Sequence, residues 1–180
     1  MKRKRTRNAP VLLFTGDGKG KTTAAMGQAL RLAGRGRRVL IVQFVKRPGV
    51  SGEERAMRKL APLVTFKALG KGWLDLSARP RRAADVERVE RSWREALRLI
   101  RSRPWDAVVL DEVVFVVSAG FLGAEKVAAF LDARPRRMTV VMTGRGKPKA
   151  LLARAGYVTE MKKIKHPFDR GRRAMEGIEF

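Results

Sequence analysis

The residues with the clearest capacity for chemistry form one run near the N-terminus: Gly16, Asp17, Gly18, Lys19, Gly20, Lys21 and Thr22, with Thr23 following. Glycines let backbone N–H groups turn inward around phosphate oxygens, and a helix starting directly behind them adds the positive end of its dipole. In that setting Lys21 reaches the phosphates and the Thr22 hydroxyl suits Mg²⁺, which is the chemistry of a P-loop holding ATP. The usual motif has four residues between its first Gly and the Gly-Lys pair. Here three separate Gly16 from Gly20, and Thr15 stands where Gly is customary.

A second element supports the first. Val108-Val109-Leu110-Asp111-Glu112 is an apolar run ending in two carboxylates, a pattern that holds Mg²⁺ or its water shell in P-loop proteins. One of the pair is expected to meet Thr22 through the metal. A helix cap or a salt bridge to nearby arginine is the other reading of the same acids. Thr143-Gly144-Arg145-Gly146 ends a further apolar run and would set the Arg145 guanidinium at the same rim as a phosphate clamp, or leave it as a surface residue in a Gly turn. His166 is the single histidine and there is no cysteine. A His-rich metal site, a thiolate site, a disulfide framework and a cysteine nucleophile are therefore excluded.

The elements that must position these groups alternate. Six apolar runs are expected as strands: Val11 to Thr15, Val39 to Val45, Val64 to Leu69, Ala107 to Asp111, Met138 to Thr143 and Tyr157 to Lys162. Most are continuous, as in parallel strands covered on both faces. Helices are expected over Lys21 to Gly34, Gly52 to Ala61, Arg81 to Ser102, Ala124 to Ala133 and Lys147 to Ala155. In the longest, Val86, Val89, Trp93, Leu97 and Ile100 fall on one stripe, which makes Trp93 a core residue. The fold class is thus α/β, a mainly parallel sheet of about six strands with helices on both faces. Residues 1–10 form a basic tail and 11–180 a single domain. The loops Lys46 to Ser51 and Gly70 to Pro80 leave strand ends, where open α/β sheets bind ligands, and are expected to receive a second substrate.

Lys and Arg number 41 against 17 Asp and Glu, a net charge of +24. Such a field attracts polyanions, or it solvates the outer faces of the Arg-rich helices. The aromatic residues that single-strand binders interleave with charge are missing from it. With no signal segment, no span long enough for a membrane and no cysteine, the cytoplasm is the expected compartment.

Taken in order, Gly16 to Ala25, Val42-Gln43-Phe44-Val45-Lys46, Ser51-Gly52-Glu53, Val109 to Glu112, Thr143 to Gly146, Lys165-His166-Pro167-Phe168-Asp169 and the closing Gly177-Ile178-Glu179-Phe180 closely resemble the P-loop ATP:corrinoid adenosyltransferases. The resemblance runs from Val11 to the last residue. It implies a RecA-like P-loop fold, a homodimer, and a transferase of cobalamin biosynthesis. In such an enzyme the Co(I) of a reduced corrinoid attacks the 5′ carbon of ATP, and inorganic triphosphate leaves. It implies ATP contacts from Gly16 to Thr22, from Arg145 and from Arg31, although periodicity alone makes Arg31 a solvated helix residue. Lys21, Thr22 and Glu112 take the catalytic roles, with Thr22 and Glu112 matching the Mg²⁺ ligands. Trp73 matches an aromatic set against the corrin, with Lys71 standing where many relatives carry a second one. A loop aromatic buried on the sheet rim is the alternative for Trp73. The expected partners are ATP, a cob(I)alamin or cobyrinate-type corrinoid, a second copy of the chain and an acidic flavoprotein reductant. A membrane and nucleic acid are not expected. The competing function is a nucleic-acid-stimulated RecA-like ATPase.

Overall fold

The computed structural model describes residues 8–72, 74–78, 80–167, 171 and 175–178. Strand β1 (Val11–Thr15) runs into the glycine loop and helix α1 (Lys21–Ala33), then β2 (Val39–Gln43), α2 (Gly52–Arg58), β3 (Val64–Ala68) and the long α3 (Ala83–Arg101). After them come β4 (Ala107–Asp111), α4 (Val113–Ser118), α5 (Ala124–Ala133), β5 (Thr139–Thr143), α6 (Lys149–Leu152) and β6 (Tyr157–Glu160). All strand pairs are parallel, in the order β3-β2-β4-β5-β1-β6.

The period-two alternation of a strand sends successive side chains to opposite faces, and that splits the core. Leu40, Val42, Val108, Leu110, Val140 and Met142 face one cluster with Val89, Trp93 and Ile100 of α3 and Leu131 of α5. Val39, Ile41, Ala107, Val109 and Val141 face the other, with Ala25, Met26 and Ala29 of α1 and Met57 of α2. Because both faces are covered, β2 and β4 are buried at every residue, which is why their sequences show continuous apolar runs rather than alternation. Trp93 is 3% exposed and packs against Phe44 and, edge-on, against Phe130, with ring centroids 6.1 and 5.9 Å apart.

The elements expected from sequence are present, β1, β4 and α5 at the expected bounds and the others with shorter ends. α2 stops at Arg58 and a turn precedes Pro62; α6 is confined to Lys149–Leu152 behind Pro148. β6 ends at Glu160 and is one of the two edge strands; unlike β3, the other, it is exposed at all four residues, so it differs from the covered strand its composition suggested. Helix α4 had no counterpart in the sequence reading. Its valine-rich run Val113 to Val117 favours a strand by propensity, but burial of Val113, Val114, Val116 and Val117 against the sheet holds it helical.

In this order β4 and β1 flank β5. Parallel strands all end at one edge, so the loops after β1, β4 and β5 meet there.

Candidate active site

The loop between β1 and α1 is shaped by its glycines. Gly16 has φ 95° and Gly20 φ 111°, a region that residues with a Cβ rarely adopt. A Cβ on Gly16 would also lie 2.4 Å from the Met161 carbonyl oxygen. The stretch after β6 braces the loop: Met161 N donates to Thr15 O at 2.8 Å, and Gly18 N donates to Met161 O at 2.7 Å. Lys21, the first residue of α1, curls back and donates through Nζ to the carbonyls of Gly16 and Gly18, both at 2.7 Å. Thr15, the residue where Gly is customary, is buried and donates its hydroxyl to Gly146 O. That bond ties the start of the phosphate loop to the loop that carries Arg145.

Behind the glycine loop lies a buried carboxylate. Asp111, at the end of β4, is fully buried. Its Oδ1 accepts from Thr22 Oγ1 at 2.9 Å and from Thr143 Oγ1 at 2.7 Å, and its Oδ2 accepts from Gln43 Nε2 at 2.9 Å. Three strands and α1 therefore converge on one side chain, which fixes the Thr22 hydroxyl. Sequence reasoning placed Asp111 and Thr22 at the site but gave Gln43 and Thr143 no part in holding them.

Glu112 follows at φ 65°, the sole non-glycine with positive φ among the described residues. Such a conformation costs on the order of 1 kcal/mol or more and persists only where surrounding contacts enforce it. Here Glu112 N donates to Thr143 Oγ1 at 2.9 Å, and the turn aims the carboxylate at a cavity of about 260 Å³ that Lys21, Thr22, Lys46, Arg145 and His166 also line. Burial, with the adjacent Asp111 charge, pushes the Glu112 carboxyl up to about 7, against the pull of Lys21, Arg145 and Lys46. Burial likewise lowers the Lys21 ammonium below its ordinary value, while Glu112 opposes that shift. A site that leaves an acid and a base both reluctant to charge is poised for a polyanion carrying its own cation.

Among the sequence candidates, Gly18, Gly20, Lys21, Thr22, Glu112 and Arg145 surround this cavity, with Asp17 and Lys19 at its exposed rim. Lys19 Nζ donates to Ile178 O, which draws the C-terminal segment to the same rim. Arg31 is not brought there: it is exposed in the last turn of α1, about 15 Å along the helix from Lys21. Trp73, Phe168 and Asp169 lie outside the described residues. The segments that follow β2 and β3 do meet, since Gly72 N donates to Val45 O at 2.8 Å.

Nothing in the sequence singles out Lys46 or Glu53 within the segments that hold them. They face the cavity as an ion pair 3.6 Å apart. Ser51 caps α2 by accepting from Glu54 N, and Glu54 reaches back to Gly49 N at 2.7 Å. The Ser-x-x-Glu spacing before the helix carries that signal in the sequence.

The residues present fit Mg²⁺. Mg²⁺ is usually held by one or two carboxylates together with substrate phosphates and water. Glu112 would supply the carboxylate facing the cavity and Thr22 the hydroxyl, with Asp111 already engaged behind them.

Comparison with known proteins decides the family. The model of the ATP:corrinoid adenosyltransferase BtuR/CobO/CobP family matches residues 7–180. The chain belongs to that family. The corrinoid adenosyltransferase of Escherichia coli K12 is 36% identical over 170 residues, which cover 94% of this chain and 85% of that protein. The corrinoid adenosyltransferase CobA of Salmonella typhimurium is 37% identical over the same shares. Among solved structures, the KaiC-like protein PH0186 of Pyrococcus horikoshii OT3 shares 16% identity at a TM-score of 0.52, covering 84% of this chain and 71% of its own. EssC ATPases 2 and 3 of Geobacillus thermodenitrificans share 15% at 0.53, covering 97% of this chain and 37% of that one. These likenesses show a RecA-like P-loop fold for the chain.

Proposed function

We propose that this chain transfers the 5′-deoxyadenosyl group of ATP to the Co(I) centre of a corrinoid, releasing inorganic triphosphate. The observation that carries the reading is the family match along residues 7–180, with the phosphate loop, Glu112 and Arg145 gathered around one cavity. In the reaction the Co(I) electron pair forms a bond to C5′, the C5′–O bond breaks, and the triphosphate leaves with that bond's electrons. The nucleophile is the substrate's own metal, so no Ser or Cys nucleophile is required.

The protein's task is then to stabilise charge growing on a leaving triphosphate. Lys21, the N-terminal end of α1 and Arg145 supply fixed positive groups, and removing one such preorganised group typically costs on the order of 10² to 10³ in rate. Mg²⁺, held by Thr22 and Glu112, would neutralise part of the triphosphate charge. The corrinoid is expected against the docked loops after β2 and β3, with Trp73 on its face. We further propose a cytoplasmic homodimer served by an acidic flavoprotein reductant. No helix among the described residues is long and apolar enough to cross a membrane.

Incubation with ATP, Mg²⁺ and chemically reduced corrinoid is expected to yield a light-sensitive alkylcobalamin and triphosphate in equal amounts. ADP and orthophosphate, stimulated by DNA or RNA, would instead establish the ATPase reading.

A further inference from the structure

The substrate cavity accounts for cations at the carboxyl ends of the strands, and it leaves a second concentration at their opposite ends. In a wholly parallel sheet every loop that leads into a strand lies on one edge. The three loops that feed the adjacent central strands β2, β4 and β5 are 34–38, 102–106 and 134–138. The first holds Arg35, Arg37 and Arg38. The second holds Arg103, two residues after Arg101 at the end of α3. The third holds Arg134, Arg136 and Arg137. Asp106 is the one acid in these loops, and it pairs with Arg37 at 3.4 Å.

Neighbouring strands are about 4.8 Å apart, so these three lie within about 10 Å. Backbone bonds knit their loops into one rim: Asp106 N donates to Arg38 O at 3.0 Å, and Thr139 N donates to Asp106 O at 3.0 Å. Ala9 meets this rim as well, since its N donates to Arg136 O at 2.6 Å; the residues that precede it in the sequence include Lys2, Arg3, Lys4, Arg5 and Arg7. Arg103 is fixed by stacking over Trp105 at 3.9 Å and by a bond to Thr65. The side chains of Arg35, Arg38, Arg101, Arg136 and Arg137 make no hydrogen bond or ion pair with the described residues, and all five are exposed.

We propose that this rim binds the phosphodiester backbone of nucleic acid, without sequence preference, at a site separate from the ATP cavity. Guanidinium groups match phosphate oxygens through paired N–H donors. None of the large exposed apolar side chains among the described residues lies in the three loops. The hollow between the second and third loops, floored by Pro104, Trp105, Pro135 and Met138, is ringed by Arg101, Arg103 and Arg137, so guanidinium groups dominate the outer surface of the rim and favour a sugar-phosphate chain.

The test is fluorescence anisotropy of a labelled 20-base-pair DNA duplex between 50 and 200 mM salt. Five phosphate contacts give a slope of log K against log salt of about −4.5, a loss of about 500-fold across that range. The triple variant Arg101→Ala, Arg136→Ala, Arg137→Ala is expected to reduce the slope to about −1.8. The pair Arg35→Ala, Arg38→Ala should reduce it to about −2.7, which keeps the test valid if one variant folds poorly. Adenosyl transfer should be unchanged in both, and saturating MgATP should leave duplex binding unchanged. An unaltered slope in both variants, displacement of the duplex by MgATP, or an equal effect from Lys162→Ala, Lys165→Ala at the other edge would overturn the proposal. So would binding of polyglutamate or phosphatidylserine vesicles in place of the duplex.

Discussion

Replacing Glu112 by Gln should make the unliganded protein more stable at alkaline pH while crippling it as an enzyme. The folded carboxyl sits at about 7 against 4.5 in its ordinary setting, because burial and the Asp111 charge oppose ionisation. Between those values the native state keeps a proton that the unfolded chain has lost, so raising the pH disfavours the native state. The contribution is fully present below about 4.5 and is lost as pH rises through about 7; the gap corresponds to about 3 kcal/mol. Gln keeps the shape and the strained backbone but cannot ionise. Urea denaturation without nucleotide, from pH 4.5 to 8, should show wild type and Glu112→Gln nearly equal at the acid end and the variant about 3 kcal/mol more stable at pH 8. Taking the difference between the two proteins cancels the titrating groups that do not interact with Glu112; Asp111 and Lys21 do interact with it. In the same proteins, MgATP binding by wild type should weaken as pH falls below about 7, and the variant should bind weakly throughout. A stability difference independent of pH would refute the argument that burial holds this carboxyl neutral.

Lys21→Ala should lower turnover by on the order of 10² to 10³ or more with little change in the thermal midpoint, since Lys21 bonds only to loop carbonyls; steady-state triphosphate release checks it. Gly16→Ala should abolish ATP binding in calorimetry, because the new Cβ meets a backbone oxygen at 2.4 Å on a left-handed backbone. Gly27→Ala, in the exposed middle of α1 with nothing within 4 Å, should stabilise the fold by about 0.5–1 kcal/mol.

Much of the fold was legible because it is repetitive. Continuous β-branched runs mark covered parallel strands, and the stripe of Val89, Trp93 and Ile100 marks the buried face of α3. Valine composition was ambiguous where it mattered for α4, since propensity and burial point to different structures there. The exposure of β6 could not be read either: edge position is a property of strand order, and nothing in Tyr157 to Glu160 records that this strand pairs on one side only, with β1.

The glycine loop with Lys21 and Thr22, the acid pair, and the order of the motifs were fixed by residue type and spacing, because a phosphate cradle is built from backbone and nearest neighbours along the chain. What only the tertiary structure decided is how distant groups share that cradle. Gln43, Thr143 and Thr22 meet on Asp111 because β2, β4 and β5 lie side by side, and Thr15 ties the loop to Gly146 across β1 and β5. Arg31 lies apart from the loop because ten residues of helix carry it from there. The same parallel order gathers the strand-leading arginines on the far rim. Charge counted along a sequence gives an amount; strand order gives it a place.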